Sequence, residues 1–185
     1  MVIYCSSCYI GNVMGDNTKD ELNFYKVDKA YVDYLRDGEI AERGKSCVPL
    51  LNYIPPQKEK FMCGILLHIG CFDYIAPVSS YTIQQKNNVL LYDKDKNVTS
   101  SVRLNYMLPV LPQYYSQYNF NTEVDSKYRG VVQRERESAN EQREVIRKVA
   151  KQTYQIVKRL KAQGKDFNWA SDFELLERLA IKYET

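Results

Sequence analysis

The stretch Phe61-Met62-Cys63-Gly64-Ile65-Leu66-Leu67-His68-Ile69 is apolar nearly throughout, breaks at Gly70, and resumes as Phe72-Asp73-Tyr74-Ile75-Ala76. Apolar runs of this length around so short a break read as two buried strands joined in an antiparallel hairpin. A chain built round such a hairpin must cover it. At 185 residues this one is long enough to do so as one domain and too short for two comfortable ones. The returning strand runs into Pro77, followed by Val78, Ser79 and Ser80. Proline has no N–H to give a ladder, so the strand is expected to end there and to deliver Ser79 and Ser80 as paired hydroxyls at the edge of a rigid scaffold. An ordinary strand exit has the same pattern, so the pair needs support from the rest of the chain.

The remaining periodicities describe an α+β chain. Asp28 is placed to cap a short helix whose face carries Tyr31, Tyr34 and Leu35, with Gly38 as its expected stop. From Glu39 to Lys60 the sequence is punctuated by Gly44, Pro49, Pro55 and Pro56 and reads as a long loop, of the kind that in a compact domain is either functional or disordered. Val89–Tyr92 and Val98–Arg103 flank the charged tip Asp93–Asn97 as a second hairpin, and Leu104–Val110 adds a strand closed by Pro109 and Pro112. Toward the C-terminus, Val145, Val149, Ile156, Val157 and Leu160 mark a helical apolar stripe ending at Gly164, and Ser171 with Glu174 forms a capping box for a last helix. Residues 1–22 are polar and turn-rich after Val2-Ile3-Tyr4 and read as an N-terminal extension to a single domain over 23–185. With no basic n-region and no continuous apolar stretch, neither a secretory signal nor a membrane span is expected. Five cysteines, an odd number, suit a reduced cytoplasmic protein better than a disulfide framework.

Charge narrows the partners. The net charge is only +3, but between Lys127 and Lys165 twelve Lys or Arg stand against Glu135, Glu137, Glu141 and Glu144. On a helix this gives a basic face, with Lys127, Arg129, Arg134, Arg143, Arg147 and Lys151 as candidate contacts for a polyanion such as RNA. A solvated helix surface has the same composition. Sixteen tyrosines offer flat faces for bases and hydroxyls for phosphates, although a biased genome produces the same richness. The one histidine, His68, lies on the apolar strand, where a structural role is expected, and a histidine pair acting as acid and base is excluded. Carboxylates are dispersed, so no two-metal centre and no cofactor is expected. Cys5-Ser6-Ser7-Cys8 has zinc-ligand spacing, but no second pair completes a site. Lys, Tyr, Ser and Thr remain for any chemistry.

Four ordered segments carry a family resemblance. They are Phe24-Tyr25-Lys26-Val27-Asp28-Lys29-Ala30-Tyr31-Val32-Asp33-Tyr34-Leu35, Lys60-Phe61-Met62-Cys63-Gly64-Ile65-Leu66-Leu67, Tyr74 to Ser80, and Leu104-Asn105-Tyr106-Met107-Leu108-Pro109-Val110, with Phe173-Glu174-Leu175-Leu176-Glu177 as a closing helix. In this order and spacing they resemble the ToxN/AbiQ family of endoribonuclease toxins from type III toxin–antitoxin systems, whose antitoxin is an RNA. The Glu39–Lys60 loop and the extra N-terminal residues are similar to the CptN branch. The resemblance implies a twisted antiparallel sheet with an SH3-like, Kid/MazF-type barrel core surrounded by helices. It implies sequence-specific, metal-independent RNA cleavage by attack of the ribose 2′-OH, leaving 2′,3′-cyclic phosphate and 5′-OH ends. As partners it implies the cognate antitoxin RNA, whose pseudoknot repeats the toxin processes and which inhibits it in a closed protein–RNA ring, and cellular and phage mRNA as substrates, in phage defence or plasmid maintenance.

Matched residue by residue, the family's helix tyrosine falls on Tyr31, its lysine before the glycine-containing strand on Lys60, and its hydroxyl pair on Ser79 and Ser80. Tyr53 stands for the loop tyrosine, at a separation from Lys60 longer than the family's. Where the family often has a lysine two residues past the hydroxyl pair, this chain has Thr82, so either Lys86 reaches back or Lys60 acts alone. The competing reading is a non-catalytic RNA-binding module that uses the same basic helix and tyrosines.

Overall fold

The computed structural model describes residues 21–51, 61–123 and 125–184. The chain enters a sheet as β1 (Asn23–Val27), turns at Asp28 into α1 (Lys29–Arg43), and returns as the expected hairpin, β2 (Met62–Ile69) and β3 (Phe72–Ser79). A second hairpin, β4 (Asn88–Tyr92) and β5 (Val98–Arg103), is followed by two short strands, β6 (Leu108–Val110) and β7 (Tyr115–Gln117). Three helices then close the chain: α2 (Ser126–Glu141), α3 (Arg143–Ala162) and α4 (Phe173–Glu184). The seven strands pair antiparallel in the order β4-β5-β3-β2-β1-β7, with β6 against β3, and the helices pack on β2, β4 and β6. This is the expected α+β class. Its core joins both sheet and helices through Phe24, Tyr74, Ile75, Leu108 and Phe173.

β3 organises the sheet because it has three partners. One edge pairs with β2, Pro77 opposite Met62 and Phe72 opposite Ile69; the other pairs first with β6 at Asp73 to Ile75 and then with β5 at Val78 and Ser79. The strand does not end at Pro77, contrary to expectation. Val78 donates its N–H to the Phe61 carbonyl at 3.2 Å. Alternate N–H groups of a strand point to opposite edges, so the Pro77 nitrogen faces the β6/β5 edge. There it falls in the gap between those two partners, where a missing N–H costs no ladder bond. Pro109 obeys the same rule. It lies opposite Tyr74 with its carbonyl turned away from β3, where it accepts the Tyr31 hydroxyl at 2.8 Å.

α1 begins as expected, with the Asp28 carboxylate accepting the Tyr31 N–H at 2.8 Å, but it does not stop at Gly38. It runs on to Arg43 and is capped by Gly44 in the left-handed region, φ 71°. Gly38 is a packing residue instead: a Cβ there would lie 2.7 Å from Leu179 of α4. The extra turn carries Glu39, which is fully buried. Its carboxylate accepts from Arg43 Nη1 (2.5 Å), Ser46 Oγ (2.6 Å), Cys47 N–H (2.9 Å) and Asp172 N–H (2.7 Å). Arg43 also donates to the Ala170 carbonyl at 3.1 Å and lies over the Phe167 ring at 4.7 Å. One carboxylate thereby ties the loop after α1 to the segment before α4.

The basic C-terminal run forms two helices that meet at Gln142. On α3 the buried residues are Ile146, Ala150, Thr153, Tyr154 and Val157. Of the expected stripe only Val157 belongs to them, while Val145 and Ile156 are 52% and 38% exposed. The face is displaced because small or hydroxyl-bearing residues, which hydropathy undercounts, pack beneath it. α4 is capped by Asp172 rather than Ser171: the Asp172 carboxylate accepts the Leu175 N–H at 3.1 Å. Leu104–Tyr106 is a 3-10 turn, not part of a strand. Asn105 trades ladder bonds for others, donating from its side chain to the Trp169 carbonyl at 2.6 Å and accepting the Ser171 N–H at 3.0 Å. Many tyrosines are structural. Tyr74 and Tyr154 donate to one Glu177 oxygen at 2.7 and 3.0 Å, and burial together with that charge pushes both phenols up.

Three substitutions test this packing. A methyl at Gly64 of β2 would meet the fully buried Ile75, whose Cβ is 3.1 Å away and Cα 3.4 Å, so Gly64→Ala is expected to cost about 1–3 kcal/mol. Gly130 of α2 has nothing within 4 Å of a Cβ, so there the same change is expected to stabilise by about 0.4–1 kcal/mol. Glu39→Ala strands Arg43 without its buried partner and is expected to cost about 3–5 kcal/mol. Urea unfolding midpoints check all three, and a Gly64→Ala protein as stable as the wild type would contradict the β2–β3 packing.

Candidate active site

Ser79 closes β3 opposite Ser101 of β5, and Ser80 follows it, exposed at a bend. The loop beyond is tied at both ends. Ser101 Oγ donates to the Tyr81 carbonyl at 2.6 Å, and the Tyr81 N–H donates to Ser79 Oγ at 3.2 Å. The buried Asn88 side chain accepts the Gln85 N–H at 2.7 Å and donates to the Ile83 carbonyl at 3.0 Å. The serines are therefore held by a sheet on one side and a bonded loop on the other.

Beside Ser79 lies a hollow of about 250 Å³, lined also by Ser46, Cys47, Pro49, Pro77, Arg103 and Tyr106. Arg103 is its charged group. It ends β5 with its guanidinium over two rings, 4.5 Å from the centroid of Tyr81 and 4.7 Å from that of Tyr106. Among the described residues its buried Nε has no hydrogen-bond partner. Two aromatic rings hold the guanidinium by cation–π contact, and its donors can meet an oxyanion. Burial first, and the Glu39 charge next, push the Cys47 thiol up. Cys47 therefore borders the hollow as a neutral group and not as a thiolate nucleophile.

The sequence candidates fare unequally. Lys60 and Tyr53 lie outside the described residues, as do Cys5 and Cys8. Lys60 is joined by its peptide bond to Phe61, whose carbonyl binds Val78, the residue before Ser79. Tyr31 is a correction. It is fully buried, stacked on Tyr114 at 4.7 Å with its hydroxyl on Pro109, so the core and not the site holds it. His68 stands on β2, exposed, with Nδ1 2.5 Å from Asp73, whose other oxygen accepts the Tyr115 hydroxyl at 2.6 Å. Thr82 and Lys86 are exposed on the Tyr81–Asn87 loop, and neither lines the Ser79 hollow.

The basic candidates are divided between α2 and α3. Lys127 and Arg129 stand near the start of α2, and Arg134 sits beside the Asp93–Lys96 tip. Arg143, Arg147 and Lys151 follow one another at four-residue spacing on α3, and Arg143 donates to the Asn140 carbonyl at 3.2 Å. Part of the charge is neutralised locally by Arg136–Glu21, Lys158–Glu174 and Lys161–Asp172. Among the described residues no three His, Cys, Asp or Glu side chains cluster as ligands for a metal ion, and no helix is long and apolar enough to cross a membrane. Sequence reasoning passed over Arg103 and Tyr106. The available signal was an arginine ending the strand paired with the hydroxyl strand, three residues before a tyrosine.

Three solved structures share this fold. One is a toxin from bacterial type III toxin–antitoxin systems, described as selectively inhibited by a non-coding RNA pseudoknot; it superposes with a TM-score of 0.74 at 21% identity, covering 89% of this chain and 99% of that one. A second comes from a bacterial antiviral system regulated by a processed non-coding RNA, with a TM-score of 0.72 at 19% identity over 88% of this chain and 99% of that one. The third is AbiQ, a lactococcal anti-phage endoribonuclease of a type III system, with a TM-score of 0.70 at 21% identity over 89% and 99% of the respective chains. At such identities these likenesses carry the fold alone. No curated protein matches the sequence significantly. The sequence does match the family model of toxin ToxN, type III toxin–antitoxin system, over residues 23–180. The chain, matched over most of its length and folded like ToxN and AbiQ, belongs to the ToxN family of type III toxins.

Proposed function

We propose that this protein is an endoribonuclease toxin whose reaction takes place at the Ser79–Arg103 hollow. The observation that carries the reading is a clamped guanidinium set beside the hydroxyl pair in a chain of the ToxN family. In the reaction the ribose 2′-oxygen bonds to phosphorus while the bond from phosphorus to the 5′-oxygen breaks. The proton of the 2′-OH passes to a base and the 5′-oxygen takes one from an acid, leaving a 2′,3′-cyclic phosphate and a 5′-OH.

Each residue has a role that its chemistry suits. Charge builds on the non-bridging oxygens in the transition state, and Arg103, already held by its two rings, can meet it. Ser80, exposed, and Ser79, whose Oγ accepts from Tyr81 and keeps its own proton to give, hold the phosphate or the 2′-OH. Lys60 serves as proton-transfer group or phosphate clamp, and Tyr53 stacks a base or binds a phosphate oxygen. No step is assigned to a metal. AbiQ is described as an endoribonuclease and a ToxN relative as pseudoknot-inhibited. For this chain we infer the same class of partner: an RNA antitoxin of pseudoknot repeats, cut by the toxin and closing a protein–RNA ring with it, besides cellular and phage mRNA as substrates.

Induction of the chain alone is expected to arrest bacterial growth, and co-expression of its repeat RNA to restore it. Purified protein should cut RNA in excess EDTA to cyclic-phosphate ends; activity lost on chelation and restored by magnesium would overturn the metal-free step. Lys60→Ala, Ser80→Ala and Arg103→Lys are each expected to slow cleavage on the order of 10²-fold or more without unfolding. Arg103→Lys is the sharpest of these, because it keeps the charge and loses the plane. Full toxicity of these variants at normal expression would place the site elsewhere.

A further inference from the structure

A second, larger groove, of about 650 Å³, is lined by Lys86 and Asn87, by one face of α3 and by Trp169. Its apolar wall is Trp169 and Ile156, 40% and 38% exposed. Its rim carries Lys86 and Arg159, with the amides of Gln152 and Gln155 between, and no carboxylate lines it. From this structure we infer that the groove is a docking subsite for unpaired RNA nucleotides flanking the scissile phosphate, with a base stacked on Trp169 and the sugar–phosphate chain on Lys86 and Arg159. The inference rests on the RNA-cleaving reading only for the choice of ligand.

Three observations select this occupant. Trp169 is exposed by construction. The segment that carries it is fixed by Asn105 donating to its own carbonyl at 2.6 Å, by Arg43 on Ala170 at 3.1 Å, and by the Cys47 thiol on the Asn168 carbonyl at 3.6 Å. A large ring held half out of the core gains nothing from its exposure unless a ligand covers it, and a flat base does so at low entropic cost. The charge is of one sign. Two cations with no acidic neighbour in the lining attract a polyanion, and amides beside the ring can bond base edges that only an unpaired strand presents. Finally, the groove is linked to the proposed reaction centre through one turn. Arg103 pairs with Asn88 in the β4–β5 ladder, Leu104 donates to the Asn87 carbonyl at 3.0 Å, and Asn105 holds Trp169, so the turn that follows Arg103 is bonded to two residues of the groove lining. On this inference an RNA strand bound in the Ser79 hollow brings its flanking nucleotides to Trp169 by way of this turn. This also gives Lys86 a role: it faces the flanking nucleotide and does not reach back to the reacting phosphate.

Trp169 is the chain's one tryptophan, so its own fluorescence reports the site. The full chain is titrated with a fluorescein-labelled single-stranded 2′-O-methyl oligonucleotide of mixed sequence, which binds without offering a 2′-OH to cleave, and anisotropy follows binding. Tryptophan emission is followed in parallel with the unlabelled oligonucleotide. Binding should quench Trp169 and shield it from acrylamide, while a duplex of the same sequence should not. Trp169→Ala is expected to weaken binding on the order of 10-fold. Lys86→Ala and Arg159→Ala should each lower the slope of log affinity against log salt by about 0.7. Circular dichroism checks the fold of each variant, and the wild-type quench stands if any of them is unfolded. Oligonucleotide that binds while Trp169 emission and acrylamide exposure stay unchanged overturns the inference, as does failure to bind or equal shielding by duplex. Shielding in a protein that cuts no RNA would leave the subsite standing and sink the nuclease reading instead.

Discussion

Glu39 is a carboxylate with no exposed surface, and the arrangement of both hollows depends on it. A charge in a dry interior is destabilising unless its lone pairs are used and a counter-charge is near. Here Arg43 supplies the charge, and Ser46, Cys47 and Asp172 supply further donors from two other parts of the chain. The pair therefore acts as a lock on position more than as a source of net stability. Ser46 and Cys47 reach the Ser79 hollow from the loop after α1, and the segment leading to α4, through Arg43 on Ala170, brings Trp169 to the other groove. Neither segment has a strand or helix of its own at these positions. The buried ion ties these two segments to each other, while Asn105 anchors the second through the Trp169 carbonyl and the Ser171 N–H.

The site shows why a strand end can be both rigid and reactive. β3 stays in the sheet through Pro77 because the nitrogen without a hydrogen falls where the partner strand changes from β6 to β5. The β5 register, Ser101 opposite Ser79 and Val102 opposite Val78, then brings Arg103 level with Pro77, where it shares the hollow with Ser79. The guanidinium there lies over the rings of Tyr81, from the loop after the serines, and Tyr106, from the turn after β5. A lysine at position 82, as the resemblance leads one to expect, would be a mobile point charge on an exposed loop. An arginine in contact with two rings gives up part of its rotamer freedom before any ligand arrives, so less is lost on binding one. The Thr82 departure is thereby compatible with a site that draws its cation from the neighbouring strand.

How much of this was legible varies with the kind of signal. The two hairpins were, because runs such as Phe61–Ile69 and Val98–Arg103 are long and bounded by turn residues. The hydroxyl pair at the end of β3 was visible for the same reason. Gly38 was misread because helix-stopping and close packing call for the same residue, and only Leu179, far away in sequence, distinguishes them. The α3 face was misread because Ala150, Thr153 and Tyr154 are buried without being strongly hydrophobic. Tyr31, which the resemblance matches to the family's helix tyrosine, packs against Tyr114 and Tyr183, which no local pattern reveals. Arg103 was legible only in part. Tyr106 stands three residues on in the sequence, but Ser79 and Tyr81 meet Arg103 only through the β3–β5 pairing.

The distribution of charge bears on how such a surface can hold RNA. A net charge of +3 is small for a chain whose proposed ligand is a polyanion. Several of the helix cations are paired with carboxylates from elsewhere, as Arg136 is with Glu21 and Lys161 with Asp172, and those carboxylates cancel part of the field the sequence suggests. Long-range attraction is therefore weak, and a field of that size is screened within about 8 Å at physiological salt. What remains is local: Arg103 over its rings, and Lys86 with Arg159 beside Trp169. Specificity fits this economy of charge. A strongly basic surface would hold every RNA alike through its phosphates, whereas a few fixed cations next to aromatic rings and amides favour strands whose bases are free to stack.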